Sequence, residues 1–138
     1  PTAYGPPASG EILRLYTPDG KSMFLLTART SIEARLAELP EAPGRLPEGL
    51  AVFSSYIGLE RLPPDAKGDL ALKLIVPESA CAPENLPRLR VYGYREGSGW
   101  YEVEGQKVLV DERAVTAADR IGKGIRVYAV LGPIECRK

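Results

Sequence analysis

The side chains best suited to chemistry in this chain are four aspartates. Asp65 and Asp69 flank a glycine in the segment Asp-Ala-Lys-Gly-Asp, and Asp111 and Asp119 lie further along the chain. Loop carboxylates beside a glycine can supply some of the roughly six to eight oxygen ligands that calcium takes, although the spacing is not that of an EF-hand. We therefore expect calcium to be the best-suited metal cofactor and these four residues to be its candidate ligands. The same residues are also typical of solvated loops whose carboxylates pair with nearby arginines.

A metal held by these carboxylates would open one enzymatic function. A bound calcium or magnesium ion can activate water against a phosphodiester, and Lys67 or Arg61 beside the first pair could stabilise the developing negative charge. This reading gives a divalent-metal-dependent hydrolase, with a nuclease acting on nucleic acid as one form of it.

The rest of the composition closes most other catalytic routes. The chain has no histidine and only two cysteines, Cys81 and Cys136. Neither a Ser-His-Asp triad nor a Cys-His pair nor a zinc site of the usual His/Cys type can be assembled from these residues. We therefore favour a function that is not catalytic.

The two cysteines are predicted to form a disulfide. Cys81 precedes the strand-like run 89–94, and Cys136 follows the strand-like run 125–131. If these runs are antiparallel neighbours, the start of one lies beside the end of the other and the cysteines meet. Disulfides persist mainly outside the cytosol, so the pair indicates an extracytoplasmic protein: periplasmic, cell-surface or secreted.

A tripeptide that occurs twice suggests a binding surface. Arg-Val-Tyr appears at 90–92 and again at 126–128, and in each strand the arginine and the tyrosine point to the same side. Adjacent strands would then present one face of arginines and tyrosines, residue types that are enriched at protein interfaces. The same pattern is also typical of an ordinary solvated strand. The predicted recognition face comprises Arg88, Arg90, Tyr92, Tyr94, Arg126 and Tyr128.

These residues lie on elements with an all-β pattern. Short runs of alternating apolar and polar residues recur about every ten positions, with Pro and Gly between them. Residues 31–36 also show helical spacing behind a capping box at Thr30 and Glu33, but we favour a strand there. Trp100, the only tryptophan, is expected in the core. The predicted strands are 11–16, 22–27, 31–36, 50–59, 69–76, 89–94, 100–104, 106–110, 114–118 and 125–131.

The pattern predicts one domain. About 8–10 short strands with long crossovers fit a Greek-key β-sandwich, immunoglobulin-like or jelly-roll, over residues 11–138. Residues 1–10 are rich in Pro and Gly and are expected to form a flexible tail of the kind that follows a removed signal peptide. No apolar run is long enough for a membrane span.

The net charge of the chain limits the classes of partner that it can attract. Lys and Arg together number 18, as do Asp and Glu, so there is no long-range field that would draw the protein to nucleic acid or to lipid. Few thermolabile residues and an excess of Arg over Lys are typical of a thermophile. The sequence thus favours a non-catalytic, extracytoplasmic binding module of the cell envelope for a protein or a polysaccharide, with the metal-dependent hydrolase as the alternative.

Overall fold

The fold consists of antiparallel strands joined by turns and short 3-10 helices. A computed structural model describes the backbone of residues 2–3, 7–17, 20–122 and 125–138. In these ranges the 3-10 helices are Pro83–Arg88, Val110–Glu112 and Ile134–Cys136. The strands are β1 (Thr2–Ala3), β2 (Ala8–Tyr16), β3 (Met23–Leu39), β4 (Leu50–Val52), β5 (Tyr56–Glu60), β6 (Gly68–Ile75), β7 (Arg90–Arg95), β8 (Gly99–Glu102), β9 (Glu104–Leu109), β10 (Ala114–Ile121) and β11 (Ile125–Pro133).

The eleven described strands form one hydrogen-bonded sheet that is nearly closed into a barrel. Its path runs β8-β7-β11-β5-β3-β6-β10-β9, while β1 and β2 pair with β3, and β4 pairs with β11. Only Val103 separates β8 from β9, so the chain itself connects the two ends of the path. The all-β prediction is confirmed, whereas the sandwich of two separate sheets is not, because β3 belongs to both halves of the sheet.

The long strand β3 holds the two halves together. Its first part, from Met23 to Ala28, pairs with β6, and its last part, from Arg35 to Leu39, pairs with β5. Residues 31–36 are therefore strand, as predicted, and not helix. Alternating side chains of β3 and β6 point into one core that also receives β2, β7, β10 and β11.

Two predicted boundaries differ from the structure. The stretch 50–59 is broken at Phe53 and the two serines after it, rather than at Gly58. Phe53 is buried and donates its N–H to the Val130 carbonyl, while the Ser54 hydroxyl accepts the Val130 N–H, so a side chain replaces the backbone in the ladder. In the segment expected to be a tail, β1 and the start of β2 are already paired with β3. Pro18 and Asp19, between the predicted strands 11–16 and 22–27, lie outside the described residues.

No helix in the described part of the chain is long and apolar enough to cross a membrane.

Candidate functional site

The sheet separates the candidate metal ligands. Paired residues of an antiparallel ladder point to the same face, and here Asp69 pairs with Arg120 while Leu70 pairs with Asp119. Asp69 is therefore on the outside, where it is 85% exposed and 4.0 Å from Arg120. Asp119 is on the opposite face with the buried Leu70. The ladder thus directs the two side chains to opposite faces, although Asp69 and Asp119 both border a cleft of about 830 Å³.

The other two aspartates do not complete a site either. Asp65 lines a cleft of about 1010 Å³ together with Asp69, in the turn before β6. Asp111 lies in the 3-10 helix that precedes β10, at the opposite end of that strand from Asp119. Among the described residues there is no group of three or more Cys, Asp or Glu residues that could hold a metal ion. The structure does not bring the four carboxylates together.

Asp119 is instead the acceptor of a tyrosine network. Its Oδ2 accepts a hydrogen bond from the Tyr101 hydroxyl at 2.6 Å and another from the Tyr128 hydroxyl at 2.9 Å. Its Oδ1 accepts the backbone N–H of Arg120 at 2.8 Å. Burial, followed by the nearby carboxylate, raises the pKa of Tyr101, and burial also raises the pKa of Tyr128. Both tyrosines therefore stay neutral donors, and the carboxylate serves to satisfy them.

The predicted recognition face is split by the register between β7 and β11. The two strands are antiparallel neighbours, as predicted, but Tyr128 pairs with Gly93 and not with a tyrosine. Tyr128 therefore points into the core, where it is fully buried and makes an edge-on contact with Phe24 at 5.7 Å. Its assignment to a surface is wrong. Arg126 precedes it in β11, and its side chain lies outside the described part.

The remaining members of the face are engaged within the fold. The Arg90 guanidinium donates to the backbone carbonyls of Pro87 and Leu89, and Arg88 pairs with Glu135. Tyr92 and Tyr94 are half-buried on the outer side of β7.

Tyr94 contributes to an aromatic cluster on that outer side. The Tyr94 ring lies 5.3 Å from that of Trp100, which lies 6.1 Å from that of Tyr56. The Trp100 indole N–H donates to the Gly44 carbonyl at 3.4 Å, so the loop at Gly44 covers the cluster. Trp100 is thus half-buried outside the sheet and is not a core residue.

A different surface, which sequence reasoning did not predict, is called here the outer face. It is the side of β2, β3, β6, β10 and β9 that points away from the core. Ladder pairing places five residues in one row across its middle. Both alanines of the row are exposed, and all of its residues except Arg14 line a cleft of about 830 Å³. The row is Arg14, Leu25, Ala71, Ala118 and Glu104.

Two further rows border this middle row. One contains Tyr16, Met23, Lys73, Thr116 and Lys107, and the other contains Ile12, Thr27, Asp69 and Arg120. Ile12 and Tyr16 are 66% and 48% exposed, which is high for large apolar side chains. The outer face therefore has an apolar middle, an apolar end on β2 and charged residues around them. Alternation identifies each outward residue, but only the pairing register places them in rows.

The two cysteines lie on neighbouring segments, Cys81 on the segment after β6 and Cys136 on the segment after β11. Both are buried, and the structure contains them as free thiols, so the predicted disulfide is not formed in it. Cys81 forms an antiparallel bridge with Arg137, the residue after Cys136. The prediction that the two segments meet is confirmed.

Comparison with known proteins identifies no relative: no protein-family model matches the chain, and no curated protein matches its sequence.

Proposed function

We propose that the protein is a non-catalytic binding module of the cell envelope, located outside the cytoplasm, and that its outer face binds an envelope protein. The observation that carries this proposal is the middle row of the outer face, in which Leu25, Ala71 and Ala118 form an accessible apolar floor between Arg14 and Glu104. Protein interfaces combine an apolar centre with a polar rim in this way.

The composition of the floor favours a protein over a polysaccharide. Sugar-binding clefts rely on exposed aromatic planes, whereas the middle row of this cleft consists of two alanines and a leucine. Tyr101 also lines the cleft, but it is half-buried and its hydroxyl is hydrogen-bonded to Asp119. Ile12 and Tyr16 extend the apolar surface towards the end of the face. An exposed apolar surface of this kind on a single chain is typical of an interaction site.

The metal-dependent hydrolase has less support. Asp69 and Asp119 lie on opposite faces, and Asp119 already accepts three hydrogen bonds. The extracytoplasmic location rests on the sequence, and fractionation of cells that produce the full-length protein tests it.

Substitutions that fill the cleft test the proposal. Ala71→Arg and Ala118→Arg place a long charged side chain on the floor, and both positions are exposed, so the fold should be retained. Binding of labelled protein to envelopes of the source organism should be saturable, and each variant should weaken it about tenfold or more. Ser98→Arg, in the exposed turn between β7 and β8, is the matched control and should bind like the parent protein.

Each part of the proposal has its own contradicting result. Equal binding by both cleft variants would show that the outer face is not the binding surface. Binding that survives protease treatment of the envelopes would identify a polysaccharide partner instead. The absence of saturable binding would rule out the binding module.

A further inference from the structure

We propose that Cys81 and Cys136 are a redox-sensitive pair that closes into a disulfide and cross-links the end of the chain to the segment after β6. This inference does not depend on the outer face or on its partner. It rests on the position of the two thiols and on how the backbone around them is held.

The backbone geometry places the two cysteines within reach of each other. Cys81 is bridged to Arg137, so Cys136 is the diagonal neighbour of Cys81 across an antiparallel pair. The residue opposite Cys81, Arg137, has its Cα atom about 4.5–5.5 Å away, and with a rise of about 3.4 Å per residue its neighbour Cys136 is roughly 6 Å away on the diagonal. A disulfide spans Cα separations of about 4.4–6.8 Å. Both side chains belong to the same buried cluster, at 0% and 2% exposure.

Further contacts hold the two segments in this arrangement. The Lys138 N–H donates to the Ala80 carbonyl at 3.1 Å, which continues the pairing beyond the bridge. The Arg113 guanidinium donates to the Cys81 carbonyl at 2.8 Å from the other side. The Cys81 thiol donates a weak hydrogen bond to the Ala82 carbonyl, which it gives up when it bonds to the second sulfur atom.

The surroundings determine how readily the pair reacts. Burial raises the pKa of the Cys81 thiol, and the neighbouring Cys136 raises it further. Since the thiolate is the nucleophile, the folded reduced protein should react slowly, whereas a chain that folds in an oxidising medium should form the bond readily.

The oxidant would be a small-molecule disulfide such as oxidised glutathione. One cysteine thiolate attacks it, forming a mixed disulfide and releasing one glutathione thiol. The second cysteine then attacks the protein sulfur of the mixed disulfide, forming the Cys81–Cys136 bond and releasing the second glutathione thiol. The protein loses two hydrogen atoms and two electrons, and the oxidant gains them.

Refolding under defined redox conditions tests the proposal. The full chain is denatured, reduced, and refolded in either a reducing or an oxidising glutathione buffer, and the free thiols are then alkylated under denaturing conditions and counted by mass spectrometry. We expect two alkylated cysteines after reducing refolding, and none after oxidising refolding, with a proteolytic peptide that joins the two cysteines. The oxidised form should melt on the order of 10 °C higher, because the bond restricts the unfolded chain.

Single-cysteine variants provide the controls. Cys81→Ala and Cys136→Ala should each carry one glutathione or one alkyl group and should not show the redox-dependent melting shift. Two free thiols, or two mixed disulfides, after oxidising refolding of the parent chain would overturn the proposal, even if both variants failed to fold.

Discussion

At the scale of single residues, Asp119 and Tyr128 show what spacing cannot reveal. Sequence reasoning assigns Asp119 to a metal site and Tyr128 to a recognition face, yet the two residues are hydrogen-bonded partners at 2.9 Å. Alternation along a strand fixes which residues share a side, and it did so correctly for Arg90, Tyr92 and Tyr94. It does not fix which residue lies opposite in the next strand, and a shift of one position exchanges inside for outside.

The tyrosine network predicts a loss of stability in alkaline solution. The pKa of Tyr128 is raised above its ordinary value of 10.0 in the folded protein, chiefly by burial. Above about pH 10 the unfolded chain releases this proton and the folded chain keeps it, so the stability present below that pH is lost as the pH rises, by up to about 1.4 kcal/mol per pH unit. Urea unfolding at several pH values measures this slope.

Two variants separate this effect from general alkaline damage. Tyr128→Phe should cost about 1 kcal/mol at neutral pH and should reduce the alkaline slope, while Tyr101, whose pKa is also raised, keeps part of it. Tyr16→Phe removes an exposed tyrosine and should leave both quantities close to those of the parent protein. An unchanged slope in Tyr128→Phe would show that Tyr128 does not govern the alkaline transition.

At the scale of elements, Arg113 fixes the loop that leads to Cys81. It follows the 3-10 helix Val110–Glu112 with a left-handed backbone, φ 51°. Its Nε donates to the Val76 carbonyl at 3.0 Å, and Nη2 donates to the carbonyls of Pro77 and Cys81 at 2.9 and 2.8 Å. Its own carbonyl accepts the Val76 N–H at 2.8 Å. One side chain thus holds both ends of the segment after β6.

Removing this guanidinium should destabilise the protein measurably. We expect Arg113→Ala to lower the free energy of unfolding by about 2–3 kcal/mol, because several backbone carbonyls lose a charged donor. Arg113→Gly should cost about 1 kcal/mol less than the alanine variant, since glycine adopts the left-handed backbone without strain. Arg45→Ala, at an exposed position, is the control for chemical denaturation. If Arg113→Ala unfolds like the control, the loop is held by other contacts.

The positions of the strands could largely be predicted from the sequence, whereas the points at which one strand continues into the next could not. Leu70, Leu72 and Leu74 alternate with outward residues, and all three are buried in β6 as expected. The predicted strands 22–27 and 31–36 are one strand, because the exposed residues between them interrupt the alternation without interrupting the backbone. The alternation of apolar and polar residues predicts only where a strand buries its side chains. The backbone can remain a strand where the side chains are exposed.

At the scale of the whole molecule, the order in which the strands pair determines the near-closure of the sheet and the position of the outer face, which the sequence alone does not predict. The pairings β3 with β6 and β6 with β10 join segments that are far apart in the chain, and the outer face exists only through them. Alternating strands serve a sandwich and a nearly closed barrel equally well, so the pattern alone could not distinguish the two. The two ends of the sheet are joined because the chain passes from β8 to β9 through the single residue Val103.

The separation of the aspartates across this sheet predicts that calcium has little effect. A site with a Kd of about 0.1 mM would add about 2 kcal/mol of stability at about 5 mM calcium, which corresponds to a rise in melting temperature of about 5 °C or more. Since the described carboxylates do not converge, we expect EDTA-treated protein to melt within about 1 °C of the same value with and without calcium or magnesium. A rise of several degrees would contradict this and would favour the hydrolase. Asp65→Asn and Asp69→Asn, in the cleft of about 1010 Å³ that both residues line, would then show whether that cleft holds the ion.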